Sequence, residues 1–259
     1  MALFSTLLSQ TVTIADLLKT KGWYNKHLVV PQLAKVMVIE LSKNQANKIT
    51  SEEKEYYSLI ERVFKGLAPF YDIVTRPVSK LRDRAVTFAD ARDGAKILDV
   101  ATGTGKQAFA FARKGYDVTG IDLSEAMLEI AHRHNKHGVK FQAADAANLP
   151  FAASTFDVSC ISFALHDMPL TIRERALREM VRVTRPEGTI LIIDYALPQN
   201  KLGRFLIYHL VKLYEGKYYL EFINSDLEGL LSKAGIKMKE ELRVVLGAAR
   251  IWKATKPAI

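Results

Sequence analysis

Ile97-Leu98-Asp99-Val100-Ala101-Thr102-Gly103-Thr104-Gly105 runs directly into Lys106-Gln107-Ala108-Phe109-Ala110-Phe111-Ala112. An apolar run ends in an acid, a short glycine turn follows, and a helix-like stretch comes next. That order reads as strand, loop and helix, with main chain exposed at the carboxyl end of a strand. In an open parallel sheet, nucleotide-like ligands sit at that place. The glycines permit positive φ and let the backbone approach a ligand with no Cβ in the way. The fold class that follows is α/β, a doubly wound Rossmann-like sheet.

Three kinds of loop compete for this stretch. A phosphate-binding Walker loop fails twice, because Val100 occupies its upstream glycine position and Gln107 follows Gly105-Lys106 where Ser or Thr is required. The dinucleotide fingerprint G-x-G-x-x-G/A is formally met by Gly103, Gly105 and Ala108. Asp99 adds an acid four residues before Gly103, which suits a cationic ligand such as a sulfonium with an ammonium group. Beside a pyrophosphate the same carboxylate would be repulsive. Asp117-Val118-Thr119-Gly120-Ile121-Asp122 is a second strand ending in an acid, placed where a carboxylate accepts hydrogen bonds from ribose hydroxyls. A third strand, Val139 to Asp145, ends in an acid followed by Ala146, a corner able to bind an adenine amine and let the ring lie flat. Thr155 to Ser162 is a fourth strand.

With those residues in order, the chain resembles class I S-adenosylmethionine-dependent methyltransferases. The resemblance rests on Asp99 to Gly105, on Gly120-Ile121-Asp122-Leu123-Ser124, and on Asp145-Ala146 with Leu149-Pro150-Phe151. It continues through Phe156-Asp157-Val158 and Arg182 to Gly188, covering roughly Tyr71 to Lys253. Within the class it is nearest to the ubiquinone/menaquinone-biosynthesis C-methyltransferase branch and related lipid and small-molecule methyltransferases. Phe70-Tyr71-Asp72, Phe163 to Met168 and Leu246 to Ala249 carry that likeness. Ile73-Val74-Thr75-Arg76-Pro77 departs from it, and Lys106 stands where the branch often places an acid. The resemblance implies a seven-stranded sheet, mostly parallel, with a C-terminal antiparallel hairpin over Met238 to Leu246 and Ala248 to Lys253. It also implies S-adenosyl-L-methionine as cofactor, contacted by Tyr71, Asp99, Ala101, Gly103, Thr104, Gly105, Asp122, Leu123, Met127, Asp145, Ala146 and Phe163.

Methyl transfer from a sulfonium is an in-line displacement, so alignment and exclusion of water supply most of the catalysis. A base is needed only where the acceptor must lose a proton. Ser162 to Asp167 ends the fourth strand; there His166 is the candidate base and Asp167 its orienting partner. The expected acceptor is a hydrophobic small molecule, a quinol or lipid-like compound, delivered at a membrane surface. A soluble amine or phenol is the alternative acceptor, and an NAD-dependent oxidoreductase the distant alternative reading. No metal is expected: His132, His134 and His137 fall at the end of a helix, where cations favour its dipole, and no carboxylate or thiol completes a site.

The flanks read differently from the centre. Residues 1–70 form an expected helical N-terminal cap, with helical spacing at Leu3 and Leu7, at Ile14, Leu17 and Leu18, and at Leu33, Val36, Met37 and Leu41. Residues 71–259 form the catalytic domain, with a substrate-side insertion at 197–222 whose Leu202 to Tyr219 stretch reads as one basic amphipathic helix. The net charge of +9 is concentrated in these flanks, since residues 96–193 hold 12 basic against 11 acidic side chains. Such flanks fit an anionic membrane surface or an acidic substrate. No arginine–aromatic interleaving suggests a nucleic-acid partner. The single cysteine, Cys160, lies mid-strand and reads as a core residue. No secretory signal and no run of about 18 apolar residues is evident, so the expected location is cytoplasmic, with room for peripheral membrane contact and for a homodimer.

Overall fold

The computed structural model describes residues 51–212 and 217–258. The expected helices before Ser51 therefore lie outside the described residues. Seven strands form one sheet: β1 (Lys96–Val100), β2 (Asp117–Asp122), β3 (Lys140–Ala143), β4 (Phe156–Ser162), β5 (Thr184–Tyr195), β6 (Lys237–Val244) and β7 (Ala249–Thr255). Their order is β3-β2-β1-β4-β5-β7-β6. The first five run parallel, and β7 enters antiparallel between β5 and β6. The strand order reverses between β1 and β4, which opens a crevice beyond their carboxyl ends.

Around the sheet lie α1 (Ser51–Val74), α2 (Ser79–Ala89), α3 (Lys106–Ala112), α4 (Glu125–His134), α5 (Leu170–Val183), α6 (Lys201–Lys212), α7 (Tyr219–Asn224) and α8 (Leu227–Lys233). Alternate residues of each central strand face opposite layers, as a period of two requires. Leu98 and Val100 join Ile172, Leu177 and Met180 of α5 in one core, whereas Ile97 joins Ala85 of α2 and Phe109 and Phe111 of α3 in the other. Both faces are covered, so β1 and β4 read as apolar runs rather than as an alternating pattern.

Three details differ from the sequence expectation. The expected boundary between residues 70 and 71 falls inside α1, which runs unbroken to Val74, and Ser51 onward groups as one compact unit. Arg185-Pro186-Glu187-Gly188 reads in sequence as a turn ahead of a strand from Thr189, whereas in the structure it is an exposed bulge within β5. The register jumps from Phe156↔Thr184 to Val158↔Thr189 across it, with Glu187 at φ 59. Finally, the single helix expected over Leu202 to Tyr219 is interrupted: α6 is described to Lys212, residues 217 and 218 form a turn, and α7 begins at Tyr219.

Candidate functional site

The glycine loop leaves β1 through a run of left-handed residues, Ala101 (φ 53), Gly103 (φ 55) and Gly105 (φ 79). At Gly105 a Cβ would lie 2.7 Å from the Phe141 ring and 3.1 Å from that of Phe109, so both conformation and space demand glycine. Ala101 has no such freedom and bears the strain of its conformation at the mouth of the crevice. Phe163, just past β4, is a second non-glycine residue in this region (φ 50), held there by its N–H donating to the Ile193 carbonyl at 2.7 Å. Two strained residues thus flank the point where strand order reverses.

The three strand-end acids occupy distinct positions. Asp122 faces the crevice, and its carboxylate is fixed by backbone: Gly103 N–H donates to Oδ2 and Ser124 N–H to Oδ1, each at 2.8 Å. Burial raises the pKa of this carboxyl, and the backbone amides of Ser124, Gly103 and Leu123 oppose the rise. Asp145 accepts the Tyr57 hydroxyl at 2.7 Å on Oδ2 and the Ala147 N–H at 2.8 Å on Oδ1. Asp99 is fully buried beneath the loop, where its Oδ2 accepts the Thr102 hydroxyl at 2.5 Å and its Oδ1 makes no hydrogen bond. Burial pushes its carboxyl up to about 7. Asp99 therefore shapes the loop from behind.

The crevice is an open cleft of about 630 Å³, solvent at its mouth included. Of the residues expected at the site, Tyr71, Ala101, Gly103, Asp122, Leu123, Met127, Asp145, Ala146, Phe163 and Asp167 line it. Asp99, Thr104, Gly105 and His166 are buried behind its walls. Its roof is α1, which contributes Tyr56, Ile60, Phe64 and Tyr71. The first three recur every four residues, one apolar stripe of a helix. Polar contacts fasten this roof along its length. Glu53 pairs with Arg175 of α5 at 3.1 Å, Tyr57 donates to Asp145, and Asp72 accepts the Thr104 hydroxyl at 2.6 Å and pairs with Lys106 at 2.8 Å. Burial alone would raise the Asp72 carboxyl, but the bonds from Lys106 and Thr104 outweigh it and hold it below its usual range.

At the other end, the 3₁₀ turn Leu165–Asp167 follows β4. His166 is 4% exposed, with its Nδ1 2.7 Å from Oδ1 of Asp194 at the end of β5. The His166 backbone N–H also donates to Asp194 Oδ2 at 3.3 Å. Asp167, expected as the orienting partner, stands 3.6 Å from Nε2, beyond hydrogen-bond distance, and faces the cleft. Asp194 is thus the residue that orients the imidazole, because it shares both a side-chain and a main-chain bond with it. Arg173, fully buried, donates through Nε to the Leu165 carbonyl at 3.0 Å and through Nη2 to the Met168 carbonyl at 2.8 Å, clamping the turn from below.

Residues 97–188 match the family described as "Methyltransferase domain". Over those residues the chain is similar to a methyltransferase domain. Beyond it, a demethylmenaquinone methyltransferase of Paenarthrobacter aurescens is 38% identical over 152 residues, covering 57% of this chain and 59% of that protein. A ubiquinone/menaquinone biosynthesis C-methyltransferase of Idiomarina loihiensis is 32% identical over 164 residues, covering 58% and 64%. The chain thus spans about three-fifths of the length of these curated relatives. Among solved structures, the magnesium protoporphyrin IX methyltransferase of Synechocystis, determined with bound SAH, superposes with a TM-score of 0.55 at 18% identity, covering 69% of this chain and 83% of that one. That likeness is one of fold.

At the site, sequence reasoning missed Asp194, Tyr57, Asp72 and Arg173. Asp194 had a readable signal: Ile190-Leu191-Ile192-Ile193-Asp194 is another apolar strand ending in an acid, the same pattern that singled out Asp99 and Asp122. Tyr57 had none, since its partner lies 88 residues away. The three expected histidines after residue 131 sit exposed at the carboxyl end of α4, with His132 against Phe141 and His137 against Phe109.

Proposed function

We propose that this chain transfers the methyl group of S-adenosylmethionine to an apolar, quinol-type small molecule. The carrying observation is the cleft itself, where backbone-anchored Asp122 and Asp145 stand beside the glycine loop and open onto aromatic Tyr71 and Phe163 and the carboxylate of Asp167. The donor set fits that cofactor. A carboxylate has about four acceptor sites, so Asp122 retains two for a vicinal diol after both amides are bound. Ile121, Met127 and Ala146 supply flat apolar walls beside Asp145 for a purine. Aromatic faces and an acid at the far end suit a sulfonium cation.

When bound, the cofactor supplies an electrophilic methyl group with a neutral thioether as leaving group. The chain's residues do the rest. The α1 roof excludes water and holds the reacting atoms in line. Asp194 accepts the Nδ1 proton of His166, and Nε2 stands 3.6 Å from Asp167. An acceptor proton released at the cleft wall reaches Asp167 first and His166 Nε2 behind it, which gives Asp167 the substrate-facing place. The quinol-type acceptor is supported by the names of the relatives together with the apolar stripe of α1.

The test is titration calorimetry of the full chain with S-adenosylmethionine, adenosylhomocysteine and NAD in parallel, followed by transfer of a labelled methyl group to a demethylated naphthoquinol. Binding of both adenosyl compounds and labelling of the quinol are expected. Binding of NAD alone would overturn the reading.

A further inference from the structure

Helix α6, Lys-Leu-Gly-Arg-Phe-Leu-Ile-Tyr-His-Leu-Val-Lys, is capped by Asn200, whose side chain accepts the Gly203 N–H at 2.6 Å. It docks on the body through Val211, yet Leu202, Phe205, Leu206 and Leu210 are all more than half exposed. Their spacing of three, four and eight places them on one face, so this amphipathic helix turns an apolar stripe outward. A second apolar feature stands beside it. The turn joining β6 to β7 is Val245-Leu246-Gly247, and Leu246 is 99% exposed at its tip. Val245 and Leu246 adopt φ 51 and φ 54, a left-handed pair that is a genuine outlier for a β-branched residue. The backbone is strained at the place where a leucine is pushed into solvent.

The two features belong to one surface. The Ala196 N–H donates to the Ala248 carbonyl at 2.9 Å, Arg243 donates to the Leu197 carbonyl at 3.1 Å, and a Cβ on Gly247 would lie 3.3 Å from Pro198. The hairpin tip therefore abuts the segment that leads into α6. Lys201 and Arg204 are exposed on that helix, and residues 196–212 contain no acidic side chain. The nearby acid Glu241 is matched by Arg243 at 2.8 Å.

We propose that α6 and the Val245–Gly247 tip form a docking surface for a lipid bilayer with anionic headgroups. The leucines and Phe205 enter the acyl boundary while Lys201 and Arg204 meet the headgroups. Charge selects this occupant. A second copy docked on this surface by a two-fold axis would bring the same acid-free segment, with no carboxylate to pair Lys201 and Arg204. The surface also leads to the candidate site. Ile223 and Asn224 of α7 line a groove with Phe205 and Tyr208, and Phe222 of the same helix lies 6.3 Å from the His166 ring. Docking stands on these residues alone; its use for acceptor delivery rests on the function proposed above.

The experiment is co-sedimentation of the full chain with vesicles of phosphatidylcholine alone and of phosphatidylcholine with phosphatidylglycerol, at low and high salt. Binding to the anionic vesicles that weakens with salt is expected. Leu246→Asn relaxes the strained turn, because Asn tolerates left-handed φ, so weaker binding would not reflect misfolding. It should reduce partitioning by roughly tenfold. Lys201→Glu with Arg204→Glu should reduce it by about fivefold or more for each charge. Adenosylhomocysteine binding, measured on the same samples, should not change in either variant. Equal binding of all variants, equal binding to neutral vesicles, or a dimer in sedimentation velocity that Leu246→Asn dissolves would overturn the proposal. Vesicle binding by a chain that binds no adenosyl compound would leave docking in place and refute only the proposed function.

Discussion

Asp122→Ala tests the cofactor reading where its geometry is most definite. In the wild type both carboxylate oxygens are held by amides at 2.8 Å, from Gly103 and Ser124, and the side chain lines the cleft. A diol bound there makes two charge-assisted hydrogen bonds, each worth about 1.5–3 kcal/mol. Removing the carboxylate frees the Gly103 and Ser124 amides, and these can donate to the ribose oxygens in compensation. The net loss is therefore close to one such bond, roughly a 10- to 150-fold weaker complex. Calorimetry with adenosylhomocysteine and with its 2′,3′-dideoxy analogue separates this from general damage to the loop. The variant should lose affinity for the first ligand and nearly none for the second, which has no diol. Equal losses for both would show that Asp122 acts only by shaping the glycine loop, and would refute the reasoning.

Asp194→Asn should lower kcat by about two to four orders of magnitude while leaving adenosylhomocysteine affinity within a factor of a few, because Asp194 is buried away from the cleft. Whichever way the amide turns, a buried N–H faces another donor among His166 N, His166 Nδ1 and Tyr195 N. A parallel fall in ligand affinity would make the residue purely structural. Asp99→Asn addresses the buried carboxyl with a pKa near 7. Between its unfolded value near 4 and its folded value, ionisation is confined to the unfolded chain, so wild-type stability drains away as pH rises, by about 1.4 kcal/mol for each pH unit. An asparagine does not titrate. Urea unfolding at a series of pH values from about 5 to 7.5 should show the variant gaining on the wild type, and a constant difference across that window would count against the buried acid.

How much of this was legible beforehand depended on distance along the chain. The glycine loop, Asp99, Asp122, Asp145 and the closing hairpin are signals contained within single strand–loop–helix units, and each lies in the element expected of it save Asp145, which stands two residues past the end of β3. The roles divided once the chain folded. Asp99 and Asp122 look equivalent as strand-end acids, yet one is sealed under the loop and the other faces the cleft. Strand direction alone does not say which side of a turn stays open. His166 and Asp167 adjoin in sequence, and titration near neutrality makes histidine the expected base. The 3₁₀ turn rotates successive side chains by about a third of a turn, which sends Asp167 to the wall and His166 into the core.

The sequence by itself determined the parallel sheet, the crevice at the carboxyl ends of β1 and β4, and the acids gathered there. Those follow from the two-residue period of strands, the conformational freedom of glycine and the handedness of βαβ connections, all of which act locally. Only the tertiary structure decided that α1 closes the cleft through Tyr57–Asp145 and through Asp72 with Thr104 and Lys106, and that Asp194 rather than Asp167 pins His166. Such pairings join residues 28 to 88 positions apart. They are fixed by which strands become neighbours and which helix face is left to bury, and neither is encoded in any one stretch of chain.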